Sequence, residues 1–160
     1  MTNRVVITGM GGISSIGMSV PEIYNSMKEG KSGIGVLEFP DVARLNVKTG
    51  GQIKNFDPNK HFEQKQIGRT DRFSQFALLA ANEAITSSGL EDSRVEWSEN
   101  AGIILGSSIG GIETINYSYK QVFENGHNRL HPLTIPKIMN NSATSLISIE
   151  HHIQLSLIHI

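Results

Sequence analysis

The sequence predicts an α/β protein in which short buried strands alternate with helices. Two apolar runs, 5–7 and 101–106, are each followed by a cluster of glycines, and helical apolar spacing resumes after each cluster. Alternation of this kind favours parallel pairing, because the crossover between parallel strands needs a connection long enough to contain a helix. The length of 160 residues suffices for one ordinary domain.

The first predicted strand is Val5-Val6-Ile7, and the glycines of residues 9–12 form the turn after it. Ser19 is predicted to cap the next helix, since proline and glutamate, two residues typical of a first turn, stand among the three residues that follow. Gly30 ends this helix. Residues 31–65 have no clear periodicity, which predicts a functional loop or strands too short to recognise.

The clearest helix begins at Thr70 or Asp71 and ends at 88–89. Its apolar side chains recur with helical spacing at Phe73, Phe76, Ala77, Ala80, Ala81, Ala84 and Ile85. The many alanines on this face indicate close packing against another element. Further helices are predicted over 112–125, ended by a glycine, and over 137–150, after a proline-containing loop.

Composition excludes several classes of partner. Hydrophobic residues make up 38% of the chain, and 14 basic against 15 acidic side chains leave a net charge of -1. Such a balance produces no long-range field that would attract nucleic acid or an anionic membrane. No apolar run approaches the roughly 20 residues of a membrane span, and the first residues are too short for a signal peptide. We therefore predict a cytoplasmic protein without nucleic-acid or membrane partners.

Cysteine is absent, which excludes disulfides, thiolate metal sites and a thiol nucleophile within these residues. Histidine occurs at positions 61, 127, 131, 151, 152 and 159. None of these forms a pair with metal-ligand spacing and a carboxylate partner, so the sequence predicts no metal site.

The glycines of residues 9–12 also resemble part of a dinucleotide-binding fingerprint. The full fingerprint needs a small third residue at the start of the helix and an acidic residue about 20 positions later, after a second strand. Here the third position is Ser14, but the helix starts only near Ser19, and no strand that ends in an acidic residue follows at that distance. In the second glycine cluster, 106–111, no lysine follows as a phosphate loop requires. Tight turns are the favoured interpretation, and a small nucleotide-binding α/β domain stays as an alternative.

Four stretches, in this order and spacing, resemble the N-terminal half of the β-ketoacyl-acyl-carrier-protein synthases, the condensing enzymes of fatty acid synthesis. The stretches are Arg4-Val5-Val6-Ile7-Thr8-Gly9-Met10-Gly11, Lys31-Ser32-Gly33-Ile34, Thr70-Asp71-Arg72-Phe73-Ser74-Gln75-Phe76-Ala77 and Gly106-Ser107-Ser108-Ile109-Gly110-Gly111-Ile112-Glu113-Thr114. Residues 135–149 resemble the helix before the family's nucleophile. The similarity is greatest to the elongating, type II-like members. It implies the N-terminal half of a thiolase-like, layered α/β/α/β/α fold, truncated before the nucleophile strand.

The resemblance also implies an acyltransferase. In this family a cysteine thiolate takes an acyl chain from a carrier-protein thioester, and two histidines help to decarboxylate a malonyl thioester whose carbanion attacks the acyl-enzyme. It implies a homodimer, an acyl carrier protein as partner, and substrates carried on phosphopantetheine with no other cofactor. The pathway is fatty acid or polyketide synthesis.

No catalytic residue is assigned in this chain. The family's cysteine would stand about ten residues beyond Gln154, and the histidine pair much later. We therefore expect the chain itself to be inactive. A non-catalytic partner subunit like a chain-length factor, which has the same fold but replaces the cysteine, is the alternative.

The resemblance transfers non-catalytic roles to six residues. Ile109 matches the position that gates the acyl pocket, and Thr134 and Ile135 match positions that approach the partner subunit's acyl tunnel in a dimer. The basic residues that match positions used to dock the acidic carrier protein are Lys65, Arg69 and Arg129.

The resemblance covers residues 1–154, which we interpret as a partial β-ketoacyl synthase N-terminal domain. Residues 155–160, Leu-Ser-Leu-Ile-His-Ile, do not resemble the family. They can be encoded by CTG TCT CTT ATA CAC ATC, the transposon mosaic end of common sequencing adapters. We expect that the reading frame ran into adapter sequence there; a genuine short amphipathic tail is the alternative.

Overall fold

The computed structural model describes residues 4–91 and 97–154, so the tail 155–160 lies outside the described residues. The helices are α1 (Val20–Lys28), α2 (Gln64–Arg69), α3 (Arg72–Ser88), α4 (Ile112–Tyr119), α5 (Thr134–Ile138) and α6 (Ser142–His151). Strands β1 (Gly35–Val36) and β2 (Thr49–Gly50), short 3-10 turns at Val42–Arg44 and Pro58–Lys60, and a π-helical turn at Lys120–Glu124 complete the described elements. In this part of the chain, no helix has the length and apolar character to span a membrane.

The described residues fall into two compact units. One comprises 4–57 and 79–91, and the other comprises 58–78 and 97–154. The boundary passes through α3, which contributes residues to both units.

In the first unit, α1 forms where its capping residues predict it. The Ser19 side chain accepts a hydrogen bond from the backbone N–H of Glu22, and the Glu22 carboxylate accepts one from the N–H of Met18 at 2.8 Å. This reciprocal pair satisfies two amide groups near the start of the helix that otherwise lack partners. The helix ends at Lys28, shortly before Gly30 as predicted.

The alanine-rich face of α3 packs against the first glycine turn. A β-carbon at Gly9 would overlap the carbonyl oxygen of Ala84, and one at Gly11 would overlap that of Ala80. The hydroxyl of Ser87 accepts from the N–H of Met10 and donates to its carbonyl, both at 3.0 Å. Glycine is needed here because the backbone of α3 approaches closer than any side chain allows.

The segment 31–65, for which the sequence predicted either a functional loop or very short strands, contains two short strands. β1 and β2 pair antiparallel, with Gly35 opposite Gly50 and Val36 opposite Thr49. Beyond the strands, the Gln52 side chain exchanges hydrogen bonds with the backbone of Glu38, at 2.7 and 3.0 Å.

Neither predicted strand, 5–7 nor 101–106, is a strand in the structure. Val5 is 95% exposed and Ile104 88% exposed, whereas burial was predicted. Residues 101–108 still alternate between half-buried and exposed, as a strand does. The prediction of parallel strand pairing is also wrong for residues 4–91 and 97–154, where the single pair of strands is antiparallel. The physical reason is that a strand needs a neighbour to receive its backbone hydrogen bonds, and the described residues place none beside these two segments.

The core of the second unit combines small and branched side chains from α3 and α6. Ser74 and Ala143 are fully buried, Ile147 is nearly so, and the Ser74 hydroxyl lies 3.4 Å from that of Ser142. The predicted helix over 112–125 appears as α4 followed by the π-helical turn. The helix predicted over 137–150 is instead two helices, α5 and α6, separated at 139–141.

Candidate functional site

The second glycine turn, residues 106–111, lies against α5. Gly110 has a φ of +74°, and a β-carbon there would lie 2.5 Å from the carbonyl oxygen of Ile138. A β-carbon at Gly111 would overlap the carbonyl oxygen of Lys137, and the N–H of Gly111 donates to the carbonyl of Ile138 at 3.3 Å. The two glycines therefore allow the turn to approach the backbone of α5 directly.

One buried carboxylate connects α4, the helix that follows this turn, to the start of α3. Asp71 is 4% exposed, and its Oδ2 accepts hydrogen bonds from the backbone N–H and the hydroxyl of Thr114, at 2.8 and 2.6 Å. Its Oδ1 lies 3.3 Å from the N–H of Phe73. Asp71 therefore stabilises the N-termini of both α3 and α4, where free N–H groups favour a negative charge. The sequence indicated Asp71 as a possible start of α3, but nothing local indicated the contact with Thr114.

The predicted acyl-pocket residues lie on the turn and on the helix that it contacts. Ile109 is on the turn and is 58% exposed. Thr134 is the first residue of α5 and donates its hydroxyl proton to the carbonyl of His131 at 2.7 Å, whereas Ile135 is 61% exposed. The structure thus brings the Ile109 turn together with the helix that carries the other two residues.

The predicted docking cations lie on the surface of the same unit. Lys65 and Arg69 are exposed and four residues apart on α2, so they share a face of that helix. Arg129 is exposed in the loop before α5. We find no ion pair for any of the three within residues 4–91 and 97–154. Lys137 connects α5 to α2, since its ammonium group lies 3.5 Å from the carbonyl oxygen of Gly68.

The first glycine turn holds a carboxylate where a nucleotide would place a phosphate. Glu83 of α3 accepts hydrogen bonds from the N–H of Gly12 at 2.9 Å and from the N–H of Val20, at the start of α1, at 2.8 Å. A phosphate would compete with this carboxylate for the same donors and be repelled by its charge. The geometry therefore gives the nucleotide-binding alternative no support.

An exposed apolar surface follows the second turn. Ile112, Tyr117, Tyr119 and Phe123, which we call the α4 apolar surface, are each more than half exposed. The rings of Tyr119 and Phe123 are in contact, with centroids 5.3 Å apart. Neighbouring exposed aromatic groups are typical of surfaces that bind another protein. Among the described residues, no three acidic or histidine side chains are grouped so that they could bind a metal ion.

Comparison with known proteins identifies the family to which this sequence is similar. Residues 2–154 match the family model of the beta-ketoacyl synthase N-terminal domain. The chain is 36% identical over 147 residues to the 3-oxoacyl-acyl-carrier-protein synthase 2 of Staphylococcus aureus strain COL. This alignment covers 92% of the chain but 35% of the relative, so the chain spans about a third of the length of that relative.

Solved ketosynthase structures have the same fold. The ishigamide ketosynthase/chain length factor superposes with a TM-score of 0.82 at 24% identity, over 96% of this chain and 38% of that one. A type II PKS acyl-carrier protein in complex with its ketosynthase gives a TM-score of 0.74 at 19% identity, over 99% of this chain and 42% of the other. The predicted α/β, thiolase-like fold class is thus confirmed. The chain belongs to the beta-ketoacyl synthase family, to whose N-terminal domain residues 2–154 correspond.

Proposed function

We propose that this chain is the N-terminal part of a condensing enzyme that elongates acyl-carrier-protein thioesters by decarboxylative condensation with a malonyl-carrier protein, in fatty acid or polyketide synthesis. The observation that carries the proposal is the match of residues 2–154 to the family's N-terminal domain. The similarity to a 3-oxoacyl-acyl-carrier-protein synthase supports the reaction class.

In this proposal Ile109 gates the acyl pocket. Its exposure on a turn that is fixed against α5 supports this role, because an apolar side chain on a rigid support can contact an acyl chain without reorganisation of the backbone. Thr134 and Ile135, at the start of α5, approach the acyl tunnel of a second subunit. The α4 apolar surface is proposed as part of the homodimer interface, since exposed aromatic groups are stabilised by burial against a partner.

Lys65, Arg69 and Arg129 dock an acyl carrier protein. Their exposure and lack of ion-pair partners among the described residues leave their charges available to an acidic surface. Attraction between opposite charges of this kind raises the rate of encounter and suits short-lived complexes. A solved ketosynthase in complex with its acyl-carrier protein supports this partner.

Catalysis itself is assigned outside this chain. Without a cysteine the 160 residues have no thiol nucleophile, so we propose that the chain alone is inactive. Residues 1–154 are proposed as the partial domain and 155–160 as adapter-derived. The complete enzyme is proposed to act in the cytoplasm, on substrates carried by phosphopantetheine and without another cofactor.

The test is condensation by the complete gene product. We expect the purified protein to release carbon dioxide and form a 3-oxoacyl thioester from acyl- and malonyl-carrier protein. Alanine in place of the cysteine beyond Gln154 should abolish the transfer step. A complete product that has the fold but forms no 3-oxoacyl thioester, and has another residue at the cysteine position, would instead support the chain-length-factor-like partner.

A further inference from the structure

The carboxylate of Asp71 does more than begin its own helix. A helix N-cap needs one oxygen, and the Oδ1 contact with the N–H of Phe73 supplies it. The second oxygen, Oδ2, accepts both hydrogen bonds from Thr114, in the first turn of α4. Hydrogen bonds to a buried charged group are among the stronger ones in proteins, so they fix the start of α4 relative to α3 within this unit.

The turn that carries Ile109 is contacted by the Asp71 carboxylate and by the backbone of α5. The carboxyl carbon of Asp71 would lie 3.1 Å from a β-carbon placed on Gly111, so the carboxylate packs beside that glycine. On its other side the turn contacts the backbone of Ile138 through Gly110 and Gly111. The turn that carries Ile109 is therefore enclosed between the Asp71 carboxylate and the end of α5.

We propose that Asp71 is a positioning residue that fixes the 106–111 turn and thereby controls how readily Ile109 yields to longer acyl chains. The inference rests on the proposed function, in which Ile109 faces the acyl chain. Loss of the carboxylate frees the start of α4 and the turn before it. Ile109 then discriminates less between short and long chains.

A purely structural role for Asp71 predicts something different. Loss of a helix cap lowers stability and the amount of folded enzyme, which reduces kcat/KM for every substrate by the same factor. The ratio of kcat/KM for a long acyl chain to that for a short one is unaffected by such a loss. This ratio therefore separates the two roles.

The chain offers a matched control in Glu83. Glu83 lies within α3, whereas Asp71 directly precedes it, and like Asp71 it accepts a hydrogen bond from the first turn of another helix, here the N–H of Val20 in α1. Glu83 accepts a second one from the N–H of Gly12 in the first glycine turn. Its glycine turn, however, does not carry Ile109. Glu83→Gln should thus reproduce the loss of a capping charge without an effect on acyl-chain selectivity.

The experiment measures kcat/KM of the complete enzyme for one short and one long acyl-carrier protein. We expect Asp71→Asn to bring the ratio of kcat/KM for the long chain to that for the short chain about tenfold closer to one. Thr114→Val should change it in the same direction, and Thr114→Ser, which keeps the hydroxyl donor, should retain the wild-type ratio. Equal ratios in wild type, Asp71→Asn and Glu83→Gln would overturn the inference, whatever the change in Tm.

Amide hydrogen exchange in the complete protein tests whether Asp71 fixes the turn without requiring condensing activity, so it is independent of the test of the proposed function. Asp71→Asn should accelerate exchange at residues 111–115 by about tenfold, whereas Glu83→Gln should leave that segment unchanged. If the wild-type protein does not condense, the proposed function fails, and exchange still decides whether Asp71 fixes the turn. Unchanged exchange at 111–115 would refute the positioning role itself.

Discussion

At the scale of residues, one carboxylate within α3 and one directly before it explain how each glycine turn leads into its helix. Glu83 accepts hydrogen bonds from the turn before α1, and Asp71 accepts them from the first turn of α4. The glycines serve close backbone approach, to α3 in the first turn and to α5 in the second. The sequence predicted both turns but not these carboxylates, because their partners stand 71 and 43 positions away along the chain.

Substitution at Gly11 tests the close approach. A β-carbon there would overlap the backbone of Ala80, so Gly11→Ala should destabilise the complete protein by about 3 kcal/mol and lower its Tm. The matched control is Gly68→Ala in α2, where nothing lies within 4 Å of the added carbon. Because alanine favours a helix over glycine by about 1 kcal/mol, this control should raise Tm slightly. Equal effects of the two substitutions on Tm would contradict the packing.

Charge reversal tests the docking residues. Lys65→Glu with Arg69→Glu should raise KM for the acyl-carrier protein about tenfold at low salt, with kcat little changed, since the lost attraction acts on encounter. The difference should decrease as ionic strength rises. Lys28→Glu, an exposed cation at the end of α1 in the other unit, is the control. A KM that is unchanged at low salt would exclude α2 from docking.

At the scale of elements, local signals were sufficient for some predictions and insufficient for others. α1 was predicted because its cap and its first turn lie within four residues of each other. α5 begins before Pro136, whereas the predicted helix began after it. A proline is compatible with the first turn because the N–H that it lacks would have no partner within the helix there. β1 and β2, of two residues each, are too short to give any periodic signal.

The reason why the two predicted strands, 5–7 and 101–106, do not form can be tested by hydrogen exchange. The composition of 5–7 and 101–106 suits a strand, but a strand also needs a partner that can be far away in the sequence. None of the described residues pairs with these two segments. In the 160-residue chain, the amides of 5–7 and 101–106 should exchange almost as fast as in an unfolded peptide. In the complete enzyme they should be protected by a factor of about a thousand or more, as in a central sheet. Strong protection in the short chain, measured by hydrogen exchange and mass spectrometry, would show that the segments are paired without the rest of the protein.

At the scale of the whole molecule, the exposed apolar groups have one common explanation. Val5, Ile7, Ile104 and the α4 apolar surface all expose more than half of their area. The chain also spans about a third of the length of a relative that it matches. We propose that the remainder of a complete ketosynthase, and the second subunit of the proposed homodimer, cover these exposed groups. The sequence allowed the family and fold class to be predicted, whereas these surfaces became visible only in the structure.

We propose that residues 1–154 are the N-terminal part of a catalytic ketosynthase, and the sequence of the source DNA is the first test of this proposal. We would amplify and sequence the region across the codon for Gln154. We expect the frame to continue through a Gly-Pro turn to an Ala-Cys about ten residues later, with the codons of 155–160 absent. A stop codon directly after Ile160, or another residue at the cysteine position, would contradict it.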